Sequence, residues 1–216
     1  KLREYANAMR VEAISLETGE VDYSKLTESE SYLQFREFTR ALPLCTKQEL
    51  GDRPDQIAFW INLYNALILH GVIHYQIRGS MLSDLGFFRR AAYNVGGMRF
   101  SADDIEHGVL RGNRRHPYLP FRQFAADDPR LMMSIDHLDP RLHFALVCGA
   151  RSCPPTAFYS GEDLDAQLDK AAATFVNGSG VSFDPDNQML SVSRIFKWYT
   201  GDFGGREAAL RFIDRY

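Results

Sequence analysis

The longest apolar run in the chain covers residues 57–69 and is interrupted only by Asn62 and Asn65. Asp52 before the run is a typical N-cap residue, and Gly79 lies beyond its end, so we predict one long helix between them. Because the run is apolar on nearly every face, we expect this helix to lie in the middle of a core. The run is too short to cross a bilayer, so no membrane span is predicted.

Other elements follow from spacing and turn residues. Apolar positions at helical spacing predict helices over residues 1–17, 32–42, 162–176, 195–199 and 207–216. Turn residues between alternating segments predict hairpins over 93–100 and 181–192. Ser101 and Asp104 form a capping-box-like start for a helix running to Arg111. Few strands and no regular strand–helix alternation indicate an α+β fold, with a central buried helix packed on a small, mainly antiparallel sheet.

Composition narrows the class of protein. The 216 residues suit one globular domain, residues 20–216, with an N-terminal helical extension, residues 1–19. A net charge of −3 argues against a nucleic-acid-binding protein, and we interpret the basic residues 111–116 as a solvated loop. Three cysteines and no secretory segment predict free thiols in a reducing, cytoplasmic compartment. A start without Met leaves a removed signal peptide open.

One short segment combines the residue types of a thiol active site. Residues 142–148 are apolar apart from His143 and predict a short buried strand that ends at Cys148. A glycine-containing turn follows and carries Arg151 and Cys153. A cysteine nucleophile reacts as the thiolate and needs a base or a positive field nearby. His143 is the candidate base, and Arg151 is a candidate for the positive field and for contact with an anionic substrate.

The two candidate thiols differ in how they relate to the histidine. In a strand, side chains alternate between faces, so His143 and Cys148 would point in opposite directions. Cys153 lies beyond the turn, where the loop can return it towards His143, and we therefore favour Cys153 as the nucleophile. Cys148 stays a second catalytic candidate. The alternative for both is structural: a buried cysteine behaves as a small apolar residue.

Neither a metal nor an organic cofactor is predicted. Cys148, Cys153, His143 and His107 have the chemistry of zinc ligands but not a recognised ligand spacing. The sequence contains no phosphate-binding P-loop and no dinucleotide-binding glycine motif.

Two further groups are candidates for substrate binding. Asn62 and Asn65 lie on one stripe of the apolar helix, where each buried amide needs hydrogen-bonding partners. They either line a polar cleft or tie down loops. Glu106, His107 and Arg111 lie on the following predicted helix, where they either face the cleft or form a solvated helix face.

Four segments of the chain, over roughly residues 20–205, together resemble the family named domain of unknown function 547. The segments are AFWINLYNALILHG, DIEHGVLRGNR, HFALVCGARSCPP and VSRIFKWYTGDF. The matching positions are Asn62, Tyr64, Asn65, Glu106, His107, Arg111, His143, Cys148, Ser152, Cys153, Pro154, Trp198 and Asp202. Some members of that family carry this domain after glutaredoxin-like or DEP domains. The resemblance therefore implies such a domain as a fused or separate partner, in a thiol-handling context.

A weaker likeness is to transglutaminase and papain-like proteins, in which a buried helix carries a cysteine and a later strand begins with histidine. Here Asn62 stands nearest to the place of that cysteine, so the nucleophile has been lost or Cys153 has replaced it. A likeness of fold alone does not assign a function.

Three hypotheses follow. The first is a thiol-dependent enzyme for acyl transfer, thiol transfer or hydrolysis, acting on a small molecule or peptide bound in a cleft. The second is a non-catalytic binding or scaffold module with a papain-like shell. The third is a thiol-redox accessory domain.

Overall fold

The computed structural model describes residues 29–75, 77, 86–117, 119–147 and 157–216, together with residues 2, 4, 7, 8 and 12. In this part of the chain the fold is α+β, as predicted. The helices are α1 (Glu30–Thr39), α2 (Arg53–His74), α3 (Phe87–Arg90), α4 (Asp104–Leu110), α5 (Leu164–Phe175), α6 (Arg194–Trp198) and α7 (Arg206–Asp214). The strands are β1 (Ala92–Val95), β2 (Met98–Ser101), β3 (Val181–Asp184) and β4 (Met189–Val192). Short 3-10 helices cover Leu42–Leu44, Gln48–Leu50, Pro129–Met133 and Pro140–Phe144, and Val176–Gly180 forms a wider π-helical turn.

Helix α2 lies at the centre of the main core, as its apolar pattern predicts. Its N-cap is Asp52, whose side chain accepts a hydrogen bond from the Asp55 amide at 3.2 Å. The helix ends at His74, before the Gly79 expected from the sequence. Trp60 on α2 packs against Phe100 of β2, with ring centroids 5.0 Å apart. By length and composition α2 would also pass as a membrane-crossing helix, but most of it is buried within the protein, as in the core helix of a soluble fold.

Helix α4 starts with the predicted reciprocal cap. The Ser101 amide donates to Asp104 Oδ2 at 2.9 Å, and the Asp104 amide donates to Ser101 Oγ at 3.1 Å. The helix is π-wound, because the Arg111 amide bonds the carbonyl of Glu106 at 2.9 Å, one residue further back than in an α-helix. Such turns occur frequently at functional sites, and this one joins the backbones of Glu106 and Arg111 directly.

The strand predicted over residues 142–148 is wrong where the structure describes it. Pro140–Phe144 form a 3-10 helix, and the chain turns again at Ala145. The cause is local: the Asp139 side chain accepts a hydrogen bond from the Arg141 amide at 2.9 Å, so Asp139 caps a helical turn that begins with proline. The alternation of side chains used to separate His143 from Cys148 therefore does not apply.

A second apolar cluster joins this turn to the C-terminal helices. Phe144 stacks on Phe175 of α5 at 4.7 Å, and it lies 5.7 Å from Phe196 of α6 and 5.8 Å from Phe212 of α7, between ring centroids. These contacts bring the segment after α6, which carries Asp202, against the turn that carries His143.

Most of the other predicted helices and hairpins are present in the structure. Both predicted hairpins are antiparallel, with Tyr93 opposite Phe100 and Phe183 opposite Leu190. In the described residues each hairpin is a separate two-stranded sheet. The helices predicted over 162–176, 195–199 and 207–216 correspond to α5, α6 and α7. Most of the helix predicted over 1–17 lies outside the described residues, and the boundary at residue 20 stays a prediction.

Candidate active site

His143 and Asp202 form a buried histidine–carboxylate pair. The distance from His143 Nε2 to Asp202 Oδ2 is 3.0 Å, and the two side chains are 2% and 4% exposed. Burial would raise the pKa of Asp202, but hydrogen bonds from His143 and Arg111 and the positive charge of Arg111 lower it to about 2. An ionised carboxylate can only accept hydrogen bonds, so His143 Nε2 carries the proton. In a neutral imidazole Nδ1 is then the basic atom, and no described residue bonds to it.

Arg111 closes the other side of the carboxylate. Its Nε lies 2.6 Å from Asp202 Oδ2 and its Nη2 lies 3.1 Å from Oδ1, a two-pronged ion pair. Its Nη1 lies 3.2 Å from His107 Nδ1. Because a guanidinium can only donate, His107 Nδ1 must be unprotonated. Burial lowers the pKa of His107 to about 4, although the negative charge of Glu106 acts to raise it. This histidine is therefore neutral at pH 7.

Glu106 is an ionised carboxylate held by tyrosines. Tyr199 Oη donates to its Oε1 at 2.6 Å, and Tyr64 Oη lies 3.4 Å from its Oε2. Burial would raise the pKa of Glu106. The electrostatic interaction with His107 and the hydrogen bond from Tyr199 outweigh burial and lower the pKa overall. The Tyr199 ring stacks on the imidazole of His143, with centroids 3.9 Å apart and planes 27° apart. Glu106 therefore fixes the ring that orients His143.

Asn65 ties together the two ends of the segment that carries the candidate thiols. Its Oδ1 accepts from the Val147 amide at 3.0 Å, and its Nδ2 donates to the carbonyls of Ala145 at 3.0 Å and Ala157 at 3.3 Å. Val147 directly precedes the nine residues 148–156, and Ala157 directly follows them. The residues that flank this segment on both sides are thereby bound to one side chain of α2.

Asn62 makes a second clamp, one turn earlier on α2. Its Nδ2 donates to the Tyr159 carbonyl at 2.8 Å, and its Oδ1 accepts from the Tyr159 amide at 2.7 Å. Both asparagines are almost completely buried. Their amides bond backbone groups, so the structure places them as supports of the segment that follows Val147.

Apart from Asn62 and Asn65, the predicted site residues fall into two groups. The structure brings His143, Glu106, His107 and Arg111 into one buried cluster. Arg111 is 3% exposed, so the expectation that it belongs to a solvated loop is wrong, and its guanidinium is bonded to protein groups. The other three catalytic or binding candidates, Cys148, Arg151 and Cys153, lie outside the described residues.

Sequence reasoning gave no catalytic role to Asp202 or Tyr199, although both lie in the segment VSRIFKWYTGDF. The available signal was that Asp202 and His143 both lie in segments that resemble the same family. The distance between them in the sequence, however, gives no indication that their side chains meet. Within the described positions, no group of three His, Cys, Asp or Glu side chains could hold a metal ion.

The described cysteine provides a contrast. Cys45 is partly buried, and burial, with the nearby charge of Glu49, raises the pKa of its thiol. A raised pKa leaves little thiolate at neutral pH, so Cys45 is an unreactive internal reference.

Comparison with known proteins gives one match. The model of the family described as "Protein of unknown function, DUF547" matches residues 48–176. The matched region includes α2, α4 and the turn with His143 and ends before Asp202. No curated protein and no solved structure matches the chain, so the likeness to papain and transglutaminase stays a prediction.

Proposed function

The chain belongs to the family described as a protein of unknown function, DUF547, and we propose that it is a thiol-dependent enzyme in which His143 activates a cysteine nucleophile. The observation that carries this proposal is the 3.0 Å hydrogen bond between His143 Nε2 and Asp202. It leaves Nδ1 as the basic atom, and a carboxylate that orients a histidine in this way is the usual support of a general base.

The position of the cysteines in the sequence supports the same proposal. Cys148 and Cys153 lie in the nine residues between Val147 and Ala157, whose backbone groups Asn65 binds. This segment begins five residues after His143. We keep Cys153 as the favoured nucleophile and Cys148 as the alternative.

The proposed reaction is acyl transfer. His143 Nδ1 takes the thiol proton, and the thiolate sulfur attacks a carbonyl carbon of the substrate. A carbon–sulfur bond forms, and the bond to the leaving group breaks as the imidazolium returns its proton to that group. Water, or an amine or thiol acceptor, then gives a proton to His143 and attacks the thioester, which breaks the carbon–sulfur bond. The thiolate leaves and recovers the proton from the imidazolium.

The first experiment measures how fast iodoacetamide labels each of the three cysteines between about pH 5 and pH 9, read by peptide mass spectrometry. We expect the apparent pKa of Cys153 to lie well below the free-thiol value of about 8.5 and to rise towards it in His143→Ala. Cys45 is the reference within the same molecule. Equal, slow labelling of all three cysteines in wild type and variant would overturn the proposal and favour the binding-module hypothesis.

The second experiment tests turnover. Hydrolysis of p-nitrophenyl acetate by the wild type should be lost in Cys153→Ser and kept in the matched control Cys45→Ser. If Cys148→Ser abolishes hydrolysis while Cys153→Ser does not, Cys148 is the nucleophile. Thiol counts that differ between mildly oxidised and reduced protein, with hydrolysis absent, would favour the redox hypothesis.

A further inference from the structure

The turn after α4 presents two arginines beside the buried cluster. Gly112 and Asn113 both have left-handed backbone angles, with φ of 58° and 52°. The Asn113 side chain is buried and clamps Phe124, donating to its carbonyl at 3.0 Å and accepting from its amide at 2.9 Å. Asparagine adopts this conformation readily, and its two hydrogen bonds to Phe124 hold the turn in place as a support for Arg114 and Arg115.

Arg114 reaches from solvent to the histidine–carboxylate pair. Its Nη1 lies 3.7 Å from Asp202 Oδ1, and its side chain is 47% exposed. Arg111 already binds both oxygens of the same carboxylate. Arg114 is therefore an additional cation at the carboxylate that binds the His143 imidazole.

Arg115 adds a cation without a counter-ion in the described part of the chain. Its carbonyl accepts from Arg111 Nη2 at 3.3 Å, which fixes its backbone against the cluster, while its side chain is exposed. The next residue, His116, packs edge-on against the His107 ring at 4.2 Å. The backbone of Arg115 thus lies beside the buried cluster, between Arg114 and His116.

The charges beside the buried cluster do not cancel. At pH 7 the carboxylates of Asp202 and Glu106 balance Arg111 and Arg114, and His107 is neutral. The carboxylate of Asp103, just before α4, lies 3.9 Å from Arg89. The charge of Arg115 is thus in excess among the described residues beside the cluster.

We propose that Arg114 and Arg115 form a subsite for a compact anionic group of the substrate, a carboxylate or a phosphate, beside the His143–Asp202 pair. Guanidinium groups suit both anions because their paired donors match two oxygens. The net charge of −3 of the whole chain disfavours a polyanion such as nucleic acid. The assignment of this group to a substrate rests on the proposed function, whereas binding of the anion does not.

The first test compares two reagents that differ mainly in charge. Iodoacetate and iodoacetamide alkylate the same thiol, so the ratio of their rates at Cys153 reports the local preference for an anion. We expect this ratio to exceed that at Cys45 and to fall about threefold in Arg114→Gln and in Arg115→Gln. The matched control, Arg206→Gln at the start of α7, should leave it unchanged. A ratio that neither variant changes would overturn the assignment of the anion to the substrate.

The second test does not depend on thiol reactivity. Inorganic phosphate and succinate are titrated separately while the ring signals of His116 and His143 are followed by NMR. We expect a saturable shift with at least one anion, and a midpoint about threefold higher in Arg114→Gln. The responsive anion identifies the chemistry of the group. If neither anion gives a saturable shift, the proposed subsite is overturned, even if the cysteines prove reactive. If an anion gives a saturable shift but the cysteines are unreactive, only the proposed enzyme function is overturned.

Discussion

Replacement of Asp202 by Asn tests the centre of the proposed site. The side chain keeps its shape but loses the charge that faces Arg111 at 2.6 Å and the strong acceptor for His143 at 3.0 Å. The side chains of Arg111 and Asp202 are each 4% exposed, so the arginine would stay buried without its counter-ion. Breaking a buried pair in this way costs about 3–5 kcal/mol.

The pH dependence gives a second figure for the same group. The pKa of Asp202 is lowered from 3.8 to about 2 in the folded protein. Its ionised form therefore stabilises the fold by about 2 kcal/mol above pH 4, and this contribution is lost as the pH falls from about 4 towards 2. The free energy of unfolding of Asp202→Asn should accordingly approach that of the wild type across this range.

Urea unfolding followed by circular dichroism, at pH 7 and at several pH values below 4, measures both effects. The matched control is Glu207→Gln, because Glu207 pairs with Arg211 at 3.7 Å on a fully solvated helix face and should change stability by less than about 0.5 kcal/mol. If Asp202→Asn is as stable as this control at pH 7, the reasoning about the buried pair is refuted. Thiol labelling of the same variant, measured where it remains folded, reports its effect on His143 separately.

Three other changes test individual features. Asn65→Leu removes three hydrogen bonds to backbone groups and should cost about 3 kcal/mol or more in urea unfolding, with faster hydrogen exchange at the Val147 amide; unchanged exchange would contradict the clamp. Gly108→Ala places a Cβ 2.2 Å from the Phe124 ring and should cost about 1–3 kcal/mol in the same assay, whereas Gly201→Ala, with nothing within 4 Å of its Cβ, should be tolerated. His107, with its pKa lowered to about 4, stays neutral when folded but binds a proton when unfolded, so stability falls as the pH drops below 6.5. His107→Gln should reduce the slope of unfolding free energy against pH near pH 5 by about 1.4 kcal/mol per pH unit, and an unchanged slope would refute the assignment.

The elements that could be predicted from sequence are those that local signals determine. The apolar helix α2, the reciprocal cap at Ser101 and Asp104, and both hairpins depend on residues close together in the chain. The turn at His143 was predicted as a strand because a short apolar run fits either state, and the decisive signal was the Asp139–Pro140 cap before it. The cap formed by Asp139 starts a helical turn, although the apolar residues after it are also compatible with a strand.

The site was only partly predictable because its contacts are long-range. The residue types around His143 indicated chemistry, but they could not show that Asp202, far along the chain, binds its ring. Arg111 was a candidate for contact with substrate because arginine prefers anions, and the anion it binds is a carboxylate of the same chain. The charge of a buried arginine can thus be paired with a carboxylate of the same protein. Whether such an arginine binds substrate or supports the fold depends on where that carboxylate lies, which the sequence does not show.

The extent of the functional unit follows from the same contacts. The family match ends at residue 176, within the turn that follows α5, whereas the carboxylate that orients His143 is at position 202. Phe144, next to His143, packs on Phe175 inside the matched region and on Phe196 and Phe212 outside it. The imidazole is therefore positioned by two parts of the chain that share one aromatic cluster. Any activity that uses His143 as a base requires the segment from α6 to α7 as well as the matched region.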